Sequence, residues 1–223
     1  MTKIKEIKNY LNFLKKQPSG FLYKDDEKTK VNKEKNKKLL EKIYTKYKNC
    51  QECPLSQQGR TQIVFGHGNT NAQLMLIGEG PGKDEDIQGI PFIGRAGKLL
   101  TKIIEAMELK REDIYISNVV KCRPPNNRLP LPQESETCKK LILFKEIEII
   151  KPKIICTLGS CATQALLGKS IKITKARGMA FNFNGYTVIP TFHPAYLLRN
   201  PNAKKNVWED MKKILKNLKK NSK

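Results

Sequence analysis

Six cysteines and two histidines are the residues best suited to ligand and acid–base chemistry in this 223-residue chain. Cys50 and Cys53 form a C-x-x-C pair, and Cys122 and Cys138 lie far downstream with fifteen residues between them. Four thiolates in two pairs suit either a tetrahedral zinc site or an iron–sulfur cluster, and spacing alone does not choose between the two. Cys156 and Cys161 sit in the apolar stretch "IICTLGSCATQALL" and read as buried small hydrophobes. His67, in "FGHGN", reads as a turn residue. His193, in "IPTFHPAYLLRN", follows a strand and precedes a short helix, a place where an imidazole faces a ligand pocket.

A second group of reactive side chains lies in "LIGEGPGKDEDIQGIPFIGRAGKLL", Leu76 to Leu100. Its glycines suggest a phosphate loop, but Gly78 to Gly82 is one residue short of the G-x-x-x-x-G-K-[ST] pattern, and Asp84 stands where a hydroxyl should bind Mg²⁺. The G-x-G-x-x-G pattern fails as well, because its third glycine position holds Lys83. Glu79, Glu85 and Asp86 would repel a phosphate and suit instead a proton, a water or a developing cation. Phe92, between a proline and a glycine-rich turn, is either the wall of a flat pocket or a loop anchor packed inward. Arg95 stands between Gly94 and Gly97, just before a helix that begins near Ala96 and whose free N–H groups can hold a backbone phosphate. Asn118, ending "IYISN", both donates and accepts, as reading a nucleobase edge requires. Leu197, Leu198 and Arg199 suit a wedge that enters a base stack while the arginine holds phosphate.

These residues need a scaffold that brings distant segments to one place. Strands are expected at 73–77, 114–119, 153–158 and 186–190, and helices at 38–48, 96–107, 133–150, 160–167 and 202–218. The alternation predicts an α/β fold, a central, mostly parallel four-stranded sheet flanked by helices in three layers. Ligands on such sheets sit at the carboxyl ends of the strands, which here carry "GEGPG", "SNVVKCRPP", "LGS" and "PTFHP". Residues 1–35 read as a basic extension, with an amphipathic run bearing Ile4, Ile7, Leu11 and Leu14, and residues 36–223 as the functional domain.

Lys and Arg number 43 against 21 Asp and Glu, a formal charge of +22, which attracts polyanions and points to nucleic acid. No apolar run reaches the length of a membrane span, and no secretory leader is expected. A cytoplasmic, nucleoid-associated protein follows, or a nuclear one in a eukaryote, with its cysteines reduced.

The segments "GEGPGKDEDIQGIPFIGRAG", "SNVVKCRPPNNR" and "HPAYLLRNP", with the four spaced cysteines, resemble the iron–sulfur-containing family 4 uracil-DNA glycosylases. The resemblance runs from about residue 38 to the C-terminal helix. It departs at Gly80, where the family usually has Ala, and in the extension 1–35. It implies a [4Fe–4S] cluster held by Cys50, Cys53, Cys122 and Cys138, and a monomer acting on uracil-containing DNA, single- or double-stranded. It implies that Phe92 stacks on the extruded uracil, Asn118 bonds its edge, His193 contacts O2, Glu79 and Gly80 line the pocket, and Glu85 positions or activates water. A competing reading, a non-enzymatic nucleic-acid-binding module with a structural zinc held by four cysteines, accounts for the charge and the thiols but not for the Glu79–Phe92 loop or His193.

Overall fold

The computed structural model describes residues 27–220. The amphipathic run at Ile4–Leu14 lies outside the described residues. The first element is α1, Glu27–Tyr47, which passes without a break through residue 35. Asn36 Nδ2 donates to the Thr70 carbonyl (2.8 Å) and Thr70 Oγ1 donates to the Lys33 carbonyl (2.7 Å), so the helix is fastened to the domain on both sides of that residue.

Six strands form one sheet: β1 (His67–Gly68), β2 (Leu74–Gly78), β3 (Tyr115–Asn118), β4 (Ile154–Leu158), β5 (Phe181–Phe183) and β6 (Tyr186–Thr191), in the order β1-β3-β2-β4-β6-β5. The four expected strands are the parallel centre, β3-β2-β4-β6. Short antiparallel strands β1 and β5 extend the two edges.

Residues in β2 and β4 are buried along their whole length, which is why they appear in sequence as unbroken apolar runs. The pleat still sorts them. Met75, Ile77, Tyr115 and Ile155 face a layer containing Leu40 of α1 and Ile142, Leu143 and Ile147. Leu74, Leu76, Ile116 and Cys156 face the other layer, with Leu100, Ile104, Met211 and Ile214. The result is three layers, helix–sheet–helix.

The connections are α2 (Lys83–Gln88) and α3 (Arg95–Ala106) between β2 and β3, then α4 (Pro132–Cys138), a π-helical turn (Lys139–Leu143) and α5 (Phe144–Ile150) between β3 and β4. α6 (Gly159–Leu167) and α7 (Ile173–Ala176) follow β4; α8 (Pro194–Arg199) and α9 (Lys204–Lys220) follow β6. Because the centre is parallel, Gly78, Asn118, Leu158 and Thr191 end their strands along one edge, with Gly78 opposite Asn118 and Leu158 opposite Thr191. Among the described residues no helix is long and apolar enough to cross a membrane.

Candidate active site

Strand register places the predicted site residues together. Gly78 is the point of closest approach: a Cβ there would run into both the Phe92 ring and Asn118 Oδ1, so glycine lets the aromatic and the amide meet over the end of β2. Phe92 holds φ 56°, a left-handed conformation that costs an aromatic residue energy and recurs at functional sites. The loop around it is braced. Arg111 Nη2 donates to the Pro91 carbonyl, and Glu85 Oε1 accepts from the N–H groups of Ile93 (3.0 Å) and Gly94 (2.9 Å). Phe92 is buried, and its ring lies against His193 (centroids 5.7 Å, 35° between planes), so it both packs inward and stands beside that histidine.

Asn118 is 2% exposed, yet its Oδ1 has no hydrogen-bond partner among the described residues. A buried acceptor left unpaired costs about 1–3 kcal/mol, so the position calls for a donor from outside the protein.

His193 caps α8, its Nδ1 accepting from the Ala195 N–H at 3.1 Å. That bond leaves the proton of the neutral ring on Nε2. Burial, with Arg199 nearby, pushes the imidazole down from 6.5 to about 4, so the ring is a neutral donor at physiological pH. The strand before it is tied down by a buried cluster: Thr191 Oγ1 donates to Asp210 Oδ2 (2.7 Å), and Arg177 pairs with Asp210 (2.8 Å).

A cavity of about 580 Å³ opens beside these groups, with Glu79, Gly159, Cys161 and His193 on its wall. Phe92, Asn118, Gly80 and Glu85 are not on that wall. Burial raises the Glu79 carboxyl above its ordinary value. Cys156 is buried as expected, and Cys161 is partly buried on the cavity wall, its thiol pushed up to about 12 by burial and by Glu79.

Two expectations need correction. Glu85 does not face the cavity; besides Ile93 and Gly94 it accepts from the Gly82 N–H (3.1 Å), so both carboxylate oxygens are committed to backbone and the residue braces the loop. Leu197 is 1% exposed and packs in the core layer with Leu100 and Val207, so it forms no wedge. Neighbouring helical residues point about 100° apart, so of Leu197 and Leu198 one faces inward. Leu198, 40% exposed, and Arg199 face solvent, and Tyr196, which the sequence reading passed over, is exposed beside them. Arg95 is exposed in the first turn of α3.

The four spaced cysteines converge from three segments. Cys122 feels the thiols of Cys53 and Cys50, and Cys138 those of Cys122 and Cys53. Burial is the main cause that raises Cys53, Cys122 and Cys138, the last to about 12. Arg60 Nη1 donates to Cys122 Sγ (2.9 Å) and Nη2 to the Cys50 carbonyl (2.7 Å), while the Lys121 N–H donates to Cys138 Sγ (3.3 Å). Among the described residues no group of three or more His, Cys, Asp or Glu side chains is arranged to hold a single metal ion.

Between cysteines and pocket lies a buried polar network that the sequence did not announce. Lys121 Nζ donates to Glu146 Oε2 (2.7 Å), to Ser117 Oγ and to the Asn118 carbonyl (2.8 Å). Glu146 also accepts from Tyr44 (3.1 Å) and the Gly66 N–H (3.0 Å), and Tyr44 bonds Tyr115. Lys121 and Glu146 are almost fully buried, so the pair survives because every polar atom finds a partner. A lysine two residues beyond an apolar strand and one residue before a cysteine was the available signal.

A family model described as Uracil DNA glycosylase superfamily matches residues 65–213. The "Type-4 uracil-DNA glycosylase" of Thermotoga maritima is 46% identical over 186 residues, covering 82% of this chain and 96% of that protein. The "Type-4 uracil-DNA glycosylase" of Sulfurisphaera tokodaii is also 46% identical, covering 78% of this chain and 83% of its own. The protein of the same description from Archaeoglobus fulgidus is 39% identical, covering 78% and 91%.

Proposed function

The chain belongs to the uracil DNA glycosylase superfamily, and from that membership we propose that it is a DNA-repair glycosylase that releases uracil from DNA and leaves an abasic site. The single observation in this chain that carries the reading is the buried, unpartnered Oδ1 of Asn118, beside the Phe92 ring and at the same strand-end edge as His193.

A base inside a stack is out of reach, so the nucleotide must swing out, at a cost of a few kcal/mol. Asn118 Oδ1 then accepts from uracil N3–H while Nδ2 donates to O4. Cytosine turns an acceptor and an amino donor to the same amide and leaves both unpaired, a mismatch that buried polar sites reject strongly. Phe92 supplies the stacking face. Phe92 and His193 touch in this state, so the incoming base has to part them.

Breaking the N-glycosidic bond leaves negative charge on uracil and oxocarbenium character on the sugar. His193 Nε2–H meets the charge gathering at O2. A neutral donor fixed by the Ala195 bond needs no rearrangement as the charge develops, and losing one such donor costs about 10²–10³ in rate. Glu79, rather than Glu85, is the loop carboxyl on the cavity wall, and its charge favours the sugar cation before water adds at C1′. Arg95, Leu198 and Arg199 contact DNA.

Cys50, Cys53, Cys122 and Cys138 fit a [4Fe–4S] cluster: four sulfurs from three segments, largely withdrawn from water, with N–H donors on two of them. When bound, the cluster would cross-link those segments.

The test is incubation of the purified protein with single- and double-stranded oligonucleotides carrying one uracil, followed by alkali. Strand scission at the uracil, absent with thymine in its place, is expected; intact strands would overturn the reading.

A further inference from the structure

The cavity beside His193 is wider than one pyrimidine needs, and its far wall is apolar: Leu129, Pro130 and Pro132, from the segment that follows β3. Leu129 is 67% exposed and Leu131 50% exposed. Eight large apolar side chains are exposed among the described residues; two of them, Leu129 and Tyr196, line this cavity, and Leu131 and Leu198 each lie two residues along the chain from one of these. Clustering of that kind marks a binding surface, where scattered exposed leucines would not.

The segment is built to hold those leucines out. Asn126 and Asn127 both take left-handed conformations (φ 53° and 54°) and turn the chain sharply. Glu134, fully buried, accepts from the Leu131 N–H (2.7 Å) and takes Arg128 in a two-bond pair (2.7 and 2.9 Å). Arg128 also donates to the Leu129 carbonyl (2.9 Å) and to Gln58 (3.0 Å). A loop with merely tolerated surface leucines needs no buried bidentate carboxylate beneath it.

The two apolar groups spring from β3 and β6, the outer strands of the parallel centre, with β2 and β4 between them. Two separate segments therefore bring apolar side chains to the cavity, Leu129 in one and Tyr196 in the other.

We propose that Leu129 and Leu131 form a second apolar prong that packs on the nucleotide flanking the extruded uridine on the side away from Tyr196 and Leu198, so that the DNA is gripped from both rims of the cavity. This rests on the base-release reading. The occupant is DNA because Leu129 shares this cavity with Glu79 and His193 of the proposed base site, and the chain as a whole carries a formal charge of +22.

The experiment uses the full chain and an oligonucleotide with one cleavage-resistant, 2′-fluorinated deoxyuridine and 2-aminopurine on its 5′ or its 3′ side. Wild-type binding raises the fluorescence on both sides as each flank unstacks. Leu129→Ala/Leu131→Ala loses the rise on one side and keeps the other, Leu198→Ala does the reverse, and the double variant binds DNA about tenfold more weakly. Its affinity for free uracil stays as in the wild type. A double variant that unstacks both flanks normally, or that weakens binding with no difference between flanks, overturns the proposal. Wild-type protein that leaves uracil in an ordinary oligonucleotide overturns base release instead, which the fluorescence arms do not measure.

Discussion

The charge state of His193, the proposed donor in base release, bears on stability as well, and it is open to direct measurement. Burial holds its imidazole at about 4, against 6.5 for an exposed histidine, and Nδ1 is engaged by the Ala195 N–H. A histidine whose folded value is depressed binds fewer protons folded than unfolded. Its neutral burial is therefore fully tolerated above about pH 6.5, and stability falls as the pH drops from there toward 4. The difference of 6.5 less about 4, at about 1.4 kcal/mol per pH unit, amounts to about 3–4 kcal/mol, roughly three-quarters of it lost by pH 4.5.

The perturbation is His193→Gln, which keeps polarity but cannot titrate. Urea unfolding of wild type and variant is compared at pH 7.5 and pH 4.5, so that acid effects common to both chains cancel in the difference. Wild type is expected to lose about 2–3 kcal/mol more than the variant. With two histidines in the chain, ¹⁵N spectra of histidine-labelled protein assign His193 by its disappearance in the variant. At pH 7 its ring should be neutral with the proton on Nε2, and the rate of uracil release should pass through pH 6.5 without inflexion. Parallel stability curves, a His193 titration near 6.5, or a proton on Nδ1 would refute the neutral-donor assignment.

Three further outcomes are expected. Lys121→Met should cost about 3–5 kcal/mol in denaturant unfolding by stranding Glu146, with part regained in Lys121→Met/Glu146→Gln; unchanged stability in the single variant would contradict a buried pair. Leu197→Ala should cost about 2–5 kcal/mol, whereas Leu198→Ala should leave the melting temperature alone and weaken DNA binding; the reverse pattern would return Leu197 to the wedge. Glu85→Ala should speed amide exchange at Ile93 and Gly94 as well as slow base release; a slow enzyme with normal exchange there would make Glu85 a base after all.

The parallel centre was readable because buried strands leave apolar runs, and the chemistry at their ends followed from topology. β1, two residues long, leaves no pattern, which is why His67 looked like a turn residue. The boundary at residue 35 fell inside α1 because that helix is mostly lysine and glutamate; Leu40 and Tyr47 are its fully buried side chains, and a helix with so narrow an apolar stripe resembles a linker. The bracing role of Glu85 and the buried place of Glu146 share one reason for being illegible in sequence. A carboxylate looks solvated in sequence, and what buries each of these is a set of backbone and side-chain donors brought from other elements.

The expected helix at 133–150 is interrupted by a π-turn, and that interruption is what joins the cysteine site to the base site. At 3.6 residues per turn, the eight residues from Cys138 to Glu146 overshoot two full turns by about 80°. An unbroken α-helix would point one of them inward and swing the other toward the helix flank. A π-turn closes i to i+5 and takes more residues per turn, so it removes most of that overshoot and sets both side chains on the inward face. Both are buried there, and Lys121 bonds both, its backbone N–H to Cys138 Sγ (3.3 Å) and its Nζ to Glu146 (2.7 Å). The same ammonium holds the carbonyl of Asn118 (2.8 Å). Asn118, the proposed reader of the base, is thus pinned through one lysine to Cys138, and the helix irregularity between 139 and 143 makes that pin geometrically possible.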